Sequence, residues 1–309
     1  MPIGATTWHT PRVPTVPVND IELCYESYGP DDAPPLLLVM GLGAQLTLWP
    51  TGLVSALLER GFRVIRFDNR DVGLSSKTPG PPPDVAALFL DYLAGRPLVA
   101  PYTLSELAAD AMGLLDALAI PAAHVVGASM GGMIAQTIAI EHPDRVLSLT
   151  SIMSTTGDPS VGQPDPDALL ALLTPAPTDR QGAIEQNVAT SRLISGDLFD
   201  EARSRAIATE TYDRCFHPEG VAFHLAAVGA SGDRTEGLRE VAVPTLVVHG
   251  RRDPLITLSG GEATAAAIPG AELLVFGQMG HDLPDRYWPQ LADAIGNIAT
   301  RGDQVRKEL

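Results

Sequence analysis

The sequence predicts an α/β protein: a mostly parallel sheet with helices on both faces, broken by an inserted block of helices. Three observations predict it. A continuous apolar run at 36–40 has the pattern of a strand buried on both faces, and the stretches 62–67 and 146–153 also read as strands. Helically spaced apolar residues fill the stretches between such runs, as crossover connections require. Between Ser154 and Glu240 the apolar spacing is helical throughout, and the strand–helix alternation resumes only beyond it. The expected division is residues 1–153 and 241–309 as an α/β core, with 154–240 as a helical cap.

Each element has a local reason. After a first stretch rich in Thr and Pro, residues 13–18 and 21–28 read as strands joined by an Asn19-Asp20 hairpin turn. Residues 29–35 form a Gly/Pro/Asp loop. The strand 36–40 leads into Gly41-Leu42-Gly43-Ala44 and then a helical pattern over about 50–60. The strand 62–67 is followed by a loop from Asp68 to Ser75, and 79–83 holds too much proline for a regular element. Helices are expected at 84–93 and 104–118, the second opened by Thr103 and Glu106 as a capping box. Residues 124–127 read as strand and 130–141 as helix, stopped by His142-Pro143-Asp144, before the strand 146–153. Inside the insertion, helices are expected at 167–173, 180–194, 200–215 and 219–230. Strands at 245–249 and 272–276 and helices at 260–267 and 288–299 complete the chain.

With 309 residues, 45% of them hydrophobic, the chain can bury a large core. A net charge of −16 argues against nucleic acid and anionic membrane surfaces as partners. Cys24 and Cys215 are the two cysteines, too few for a disulfide framework or a zinc site, and they suit a reducing cytosol. Residues 1–15 lack the basic start and apolar core of a signal peptide, and no uncharged apolar run approaches a membrane span, so a cytoplasmic location is expected.

The chemistry centres on Gly127-Ala128-Ser129-Met130-Gly131, a G-x-S-x-G turn between a strand and a helix. A serine at such a tip sits at strained backbone angles, so small residues are needed on either side. The following helix points its free N–H groups back toward the serine. Serine is a weak nucleophile and needs a base, held in one tautomer by a carboxylate. Asp253 follows the strand 245–249, and His281 follows the strand 272–276. Both therefore fall on the carboxyl rim of the sheet with Ser129, where open α/β sheets place their sites. The other histidines fit less well: His9 is in the irregular start, His142 at a helix end, and His217 and His224 in the insertion. His124 and His249 flank or lie in strands, where packing or hydrogen bonding accounts for them, and Asp282 reads as structural. Backbone N–H groups of Met130 and Leu42 are the expected oxyanion donors. Met153, which ends a strand beside the turn, and Gly41, just after the strand 36–40, are expected to line the pocket. No metal is expected, because His249 and His281 are not spaced as a ligand pair, and 127–132 lacks the lysine of a phosphate loop.

Met40-Gly41-Leu42-Gly43, the loop 68–75, the turn 127–131, Asp253 and His281 together resemble the α/β-hydrolase superfamily, over about residues 13–299. Met40-Gly41 stands where many members carry histidine-glycine, and Asp71 where many carry glycine. In that respect the chain is similar to the branch containing aclacinomycin methylesterase, which hydrolyses a methyl ester on an aromatic polyketide. Epoxide hydrolases and haloalkane dehalogenases share the fold with aspartate at the turn, whereas this chain has Ser129. The expected function is a serine hydrolase without cofactor, cleaving carboxylic esters of small to medium apolar substrates through an acyl-enzyme. Its partners would be a small-molecule ester and water, with monomer and homodimer both open. Lactonase, C–C bond hydrolase and perhydrolase chemistry would use the same triad. A non-catalytic small-ligand receptor would use the same pocket.

Overall fold

The computed structural model describes residues 14–308, so Val13 and the residues before it lie outside the described part. Strands β1 (Thr15–Val18) and β2 (Ile21–Tyr28) form a hairpin across a two-residue turn, with Val18 opposite Ile21. Asn19 takes the left-handed φ of 51° that a tight hairpin turn demands. Then follow β3 (Pro35–Val39), α1 (Thr51–Leu58), β4 (Arg63–Phe67), α2 (Val85–Leu93), α3 (Leu104–Ala117), β5 (Ala123–Ala128), α4 (Met130–Glu141) and β6 (Val146–Ile152). Five helices separate β6 from the next strand: α5 (Pro166–Leu173), α6 (Arg180–Ile194), α7 (Glu201–Arg214), α8 (Gly220–Ser231) and the single turn α9 (Thr235–Leu238). Strand β7 (Thr245–Gly250), α10 (Leu258–Ala267), β8 (Glu272–Phe276) and α11 (Trp288–Glu308) close the chain.

The eight strands lie in the order β1-β2-β4-β3-β5-β6-β7-β8. β2 pairs antiparallel with β1 and β4, and every pair from β4 through β8 is parallel. Alternation along a strand sends neighbours to opposite faces. In β3, Leu37 and Val39 join the core under α3 and α4, while Leu36 and Leu38 join the core under α1 and α11. All four are fully buried, each a burial that stabilises by about 1.5–3 kcal/mol. The doubly covered sheet explains why β3 reads as an unbroken apolar run.

Two differences from the sequence reading have local causes. Helix α11 continues past Ala299 through 300–303, although Gly302 interrupts the apolar pattern there. Glycine is required at that crossing, since a Cβ would run into the carbonyl of Leu147 on β6. The adjoining Asp303 lies 3.5 Å from His124 of β5. The turn α9 was not legible, being four residues long; buried Arg234 at its start fixes it. The Arg234 guanidinium donates to Gln136 Oε1 and to the carbonyls of Gly232 and Thr155. Among the described residues no helix is long and apolar enough to cross a membrane, and Cys24 and Cys215 are free thiols.

Candidate active site

Strand β5 ends at Ala128, and the chain turns sharply through Ser129 at φ 58°, ψ −123°. Ser129 N–H donates to Ile152 O at 2.9 Å, which ties the turn to β6. The flanking glycines are forced by contact. A Cβ at Gly127 would run into the backbone of Gly131, and a Cβ at Gly131 would run into the carbonyl of Val39. The turn is therefore pressed against the end of β3, and α4 starts directly behind the serine.

His281 follows β8 and Asp253 follows β7, so the parallel sheet delivers both to the rim that holds Ser129. His281 Nε2 lies 2.9 Å from Ser129 Oγ, and His281 Nδ1 lies 2.8 Å from Asp253 Oδ2. An ionised carboxylate can only accept, so Nδ1 carries the proton and Nε2 accepts from the serine hydroxyl. Asp253 is buried, and its other oxygen accepts from the N–H groups of Leu255 and Ile256, each at 2.9 Å. His281 N–H donates to Ile194 O at 2.7 Å, joining the histidine's own backbone to α6. His249 lies 3.6 Å from Asp253 but donates from Nε2 to Ile256 O at 2.8 Å. Burial lowers its pKa. Asp282 turns away and accepts from Gly280 N–H at 3.0 Å, with burial raising its pKa.

Beyond β3, Gly41-Leu42-Gly43-Ala44 is a turn closed by Ala44 N–H to Gly41 O at 3.2 Å. Gly43 at φ 63° supplies the left-handed third residue. Gly41 faces the serine; a Cβ there would sit 3.0 Å from Ser129 Cβ. Among the described residues, Leu42 N–H donates to no protein acceptor. Met130, first in α4, likewise has no acceptor within its helix for its N–H. Three contacts hold this turn. Asn69 Nδ2 donates to Met40 O at 3.0 Å, Asp68 Oδ1 accepts from Leu46 N–H at 2.8 Å, and His224 Nδ1 accepts from Gly43 N–H at 3.1 Å.

A cavity of about 380 Å³ opens above Ser129. Its floor includes Gly41, Leu42, Met153 and His281 from the strand ends, and its walls include Leu172, Ile194, Phe199 and Ile207 from the inserted segment. Met153, at a left-handed φ of 42°, is buried in that floor. A non-glycine residue seldom holds such a φ. Its N–H bond to Val248 O at 2.8 Å keeps it there. Of the apolar residues in the insertion, Phe223 instead packs into the main core and Leu193 points outward. Among the described residues, no group of three or more His, Cys, Asp or Glu could hold a metal ion.

Residues 34–285 match the family model for the alpha/beta hydrolase fold. The chain belongs to the α/β-hydrolase fold family. Rhodomycin D methylesterase DnrP of Streptomyces peucetius is 32% identical over 301 residues, covering 90% of this chain and 94% of that protein. The 3-oxoadipate enol-lactonase 2 of Acinetobacter baylyi is 28% identical over 256 residues, 80% of this chain and 82% of the relative. Among solved structures, the meta-cleavage product hydrolase CumD from Pseudomonas fluorescens superposes with a TM-score of 0.73 at 19% identity, over 93% of this chain and 97% of that one. That likeness is one of fold.

The sequence reading named Ser129, Asp253, His281, Leu42, Met130, Gly41 and Met153, and the fold brings all seven to one rim. It passed over Asn69, Asp68 and His224. The first two stood in a loop already singled out for its resemblance to the family. Nothing in the pattern around His224 relates it to Gly43, 181 positions away.

Proposed function

We propose that this α/β hydrolase cleaves carboxylic esters through an acyl-enzyme on Ser129. The observation that carries the reading is the chain of hydrogen bonds from Asp253 through His281 to Ser129, beneath a cavity with two uncommitted backbone donors. His281 takes the proton from Ser129 as Oγ attacks the acyl carbon, then gives it to the departing alcohol. Asp253 holds the tautomer and stabilises the imidazolium. The N–H groups of Leu42 and Met130 receive the oxyanion; a lost donor of this kind costs about 3–4 kcal/mol in other enzymes. Water, activated by the same histidine, then releases the acid. The methylesterase relative supports an ester as substrate. The apolar side chains around the serine favour an uncharged substrate of small to medium size. Residues 154–240 act as a cap over the site, and the enzyme works in the cytoplasm on a small-molecule ester and water.

The test is turnover of p-nitrophenyl butyrate, together with labelling by a fluorophosphonate. Wild type is expected to hydrolyse the ester and label once, at Ser129. Ser129→Ala is expected to lose both activities. An adduct on another residue, or turnover that survives Ser129→Ala, overturns the reading. Parallel assays with a lactone and a diketone separate esterase from lactonase and C–C hydrolase chemistry.

A further inference from the structure

We propose that His224 is a positioning residue for the reaction, fixing the turn that carries the Leu42 oxyanion donor. The inference rests on the ester-hydrolysis reading above. His224 lies in the fourth helix of the insertion and is fully buried. Its two nitrogens have unequal roles. Gly43 N–H can only donate, so Nδ1 must accept it, at 3.1 Å. Nε2 then carries the proton and donates to Arg70 O at 2.9 Å. The imidazole thus joins two loops of the core, the one after β3 and the one after β4.

The bonded N–H belongs to the Leu42–Gly43 peptide, the central peptide of the turn. That peptide is the least restrained part of such a turn, because the closing bond from Ala44 to Gly41 leaves it free to rotate. Asn69 holds the entry to the turn and Asp68 the exit, and among the described residues the hydrogen bond on the central peptide comes from His224 alone. One turn back on α8, Val221 closes the same side: a Cβ on Gly43 would sit 2.7 Å from Val221 Cγ2. Gly43 is therefore seated on α8, with Gly41 seated on Ser129. Remove the acceptor, and Gly43 N–H becomes an unsatisfied donor beside the cavity, which the peptide relieves by turning toward water. A rotation that the held ends of the turn do not absorb also tilts the preceding Gly41–Leu42 peptide, and with it the Leu42 N–H, away from the oxyanion position. A purely structural histidine, in contrast, would affect folding and leave the chemical step of the folded enzyme unchanged.

Two substitutions separate these roles. In His224→Asn the side-chain oxygen reaches the Nδ1 position and still accepts from Gly43. In His224→Gln the amide reaches the Nε2 position, donates to Arg70 O, and offers Gly43 nothing. With p-nitrophenyl butyrate, kcat of the Asn variant is expected within about threefold of wild type, and that of the Gln variant about 10- to 100-fold lower with KM changed less than about twofold. The fluorophosphonate labelling rate at Ser129 should follow the same order and needs no ester. Equal kcat in the two variants, or a loss confined to KM, overturns the proposal. A wild type that labels but does not turn over esters overturns the ester reading alone, and the labelling rates then decide on His224. A wild type that does neither overturns both. Nitrogen-15 NMR of wild-type His224 decides if both variants fail to fold: a proton on Nδ1 at neutral pH overturns the proposal, and a proton on Nε2 with a scalar coupling from Gly43 N–H to Nδ1 supports it.

Discussion

At position 129 the backbone occupies a conformation that glycine enters freely and serine does not. Strain of this kind costs about 1–3 kcal/mol, whereas the added freedom of glycine in the unfolded chain costs about 0.5–1 kcal/mol. The strain term wins, so Ser129→Gly should melt higher than Ser129→Ala, by a difference worth about 1 kcal/mol. Equal melting temperatures would show that the turn is not strained. Asp71 is the contrasting case, a non-glycine residue held at φ 66°. Its carboxylate accepts from Tyr102 Oη at 2.6 Å and from the Thr78 hydroxyl at 2.8 Å. Asp71→Gly relieves the backbone but orphans the buried Tyr102 hydroxyl at about 1–3 kcal/mol and the half-buried Thr78 hydroxyl at less, so thermal stability should fall, and a rise would contradict this. For Asp253→Asn the remaining oxygen keeps the bonds to Leu255 and Ile256, so the fold should survive while kcat drops about 10⁴-fold through the wrong histidine tautomer. Near-wild-type turnover would assign the role to another carboxylate. The meeting of Ser129, Asp253 and His281 on one rim was legible because each follows a parallel strand. The support given by Asn69 and His224 was not legible, because a side chain bonding a distant backbone group leaves no periodic trace.

At the scale of elements, α5, α6 and α7 contribute walls to the cavity and, apart from the Ile194 carbonyl that accepts from His281 N–H, no group to the hydrogen-bonded chain at Ser129. Shortening Leu172 or Ile194 to alanine should raise kcat/KM for octanoate relative to acetate esters. The change should be graded, since one methylene in such a pocket is worth about 1–3 kcal/mol. A uniform loss across acetate, butyrate and octanoate would show that these helices support the fold instead. Strand β3 was readable because a strand covered on both faces reads as an unbroken apolar run, and the other parallel strands because short, largely apolar stretches alternate with helical ones. The ends of helices were less readable. α11 extends past its apolar pattern because a glycine lets it cross β6, a contact that only the assembled sheet creates.

For the whole molecule, acid is the vulnerable direction. Burial lowers the pKa of His224 to about 4 and also lowers those of His124 and His249. Each has a folded-state pKa below its unfolded value of about 6.5, so below that pH the unfolded chain binds more protons. The stabilisation is complete above about pH 6.5 and declines as the pH falls toward 4. For His224 alone a shift from 6.5 to about 4 corresponds to on the order of 3 kcal/mol. Urea midpoints should fall steadily between about pH 7 and pH 5, and a flat profile would show that these histidines accept protons without unfolding. The charge of −16 acts at longer range. It should raise KM for a hemisuccinate ester at low salt, and added salt should lower that KM by screening.

The attachment of the inserted helices also bears on how this enzyme can be recombined with its relatives. At the end of α7, Arg214 donates to Gln45 Oε1 at 2.6 Å and pairs with Asp68 at 2.8 Å, and Gln45 donates to the carbonyls of Thr211 and Cys215. Asp68 has no exposed surface, so a chimera that lost Arg214 would leave a buried carboxylate without its cation, a defect of about 3–5 kcal/mol. The helices around the pocket are thus not a detachable module. An exchange meant to change substrate preference should cross over before α7, at about residue 197, so that 198–240 stays with its own core. A graft of all of 154–240 should instead yield protein that is insoluble or inactive on every ester.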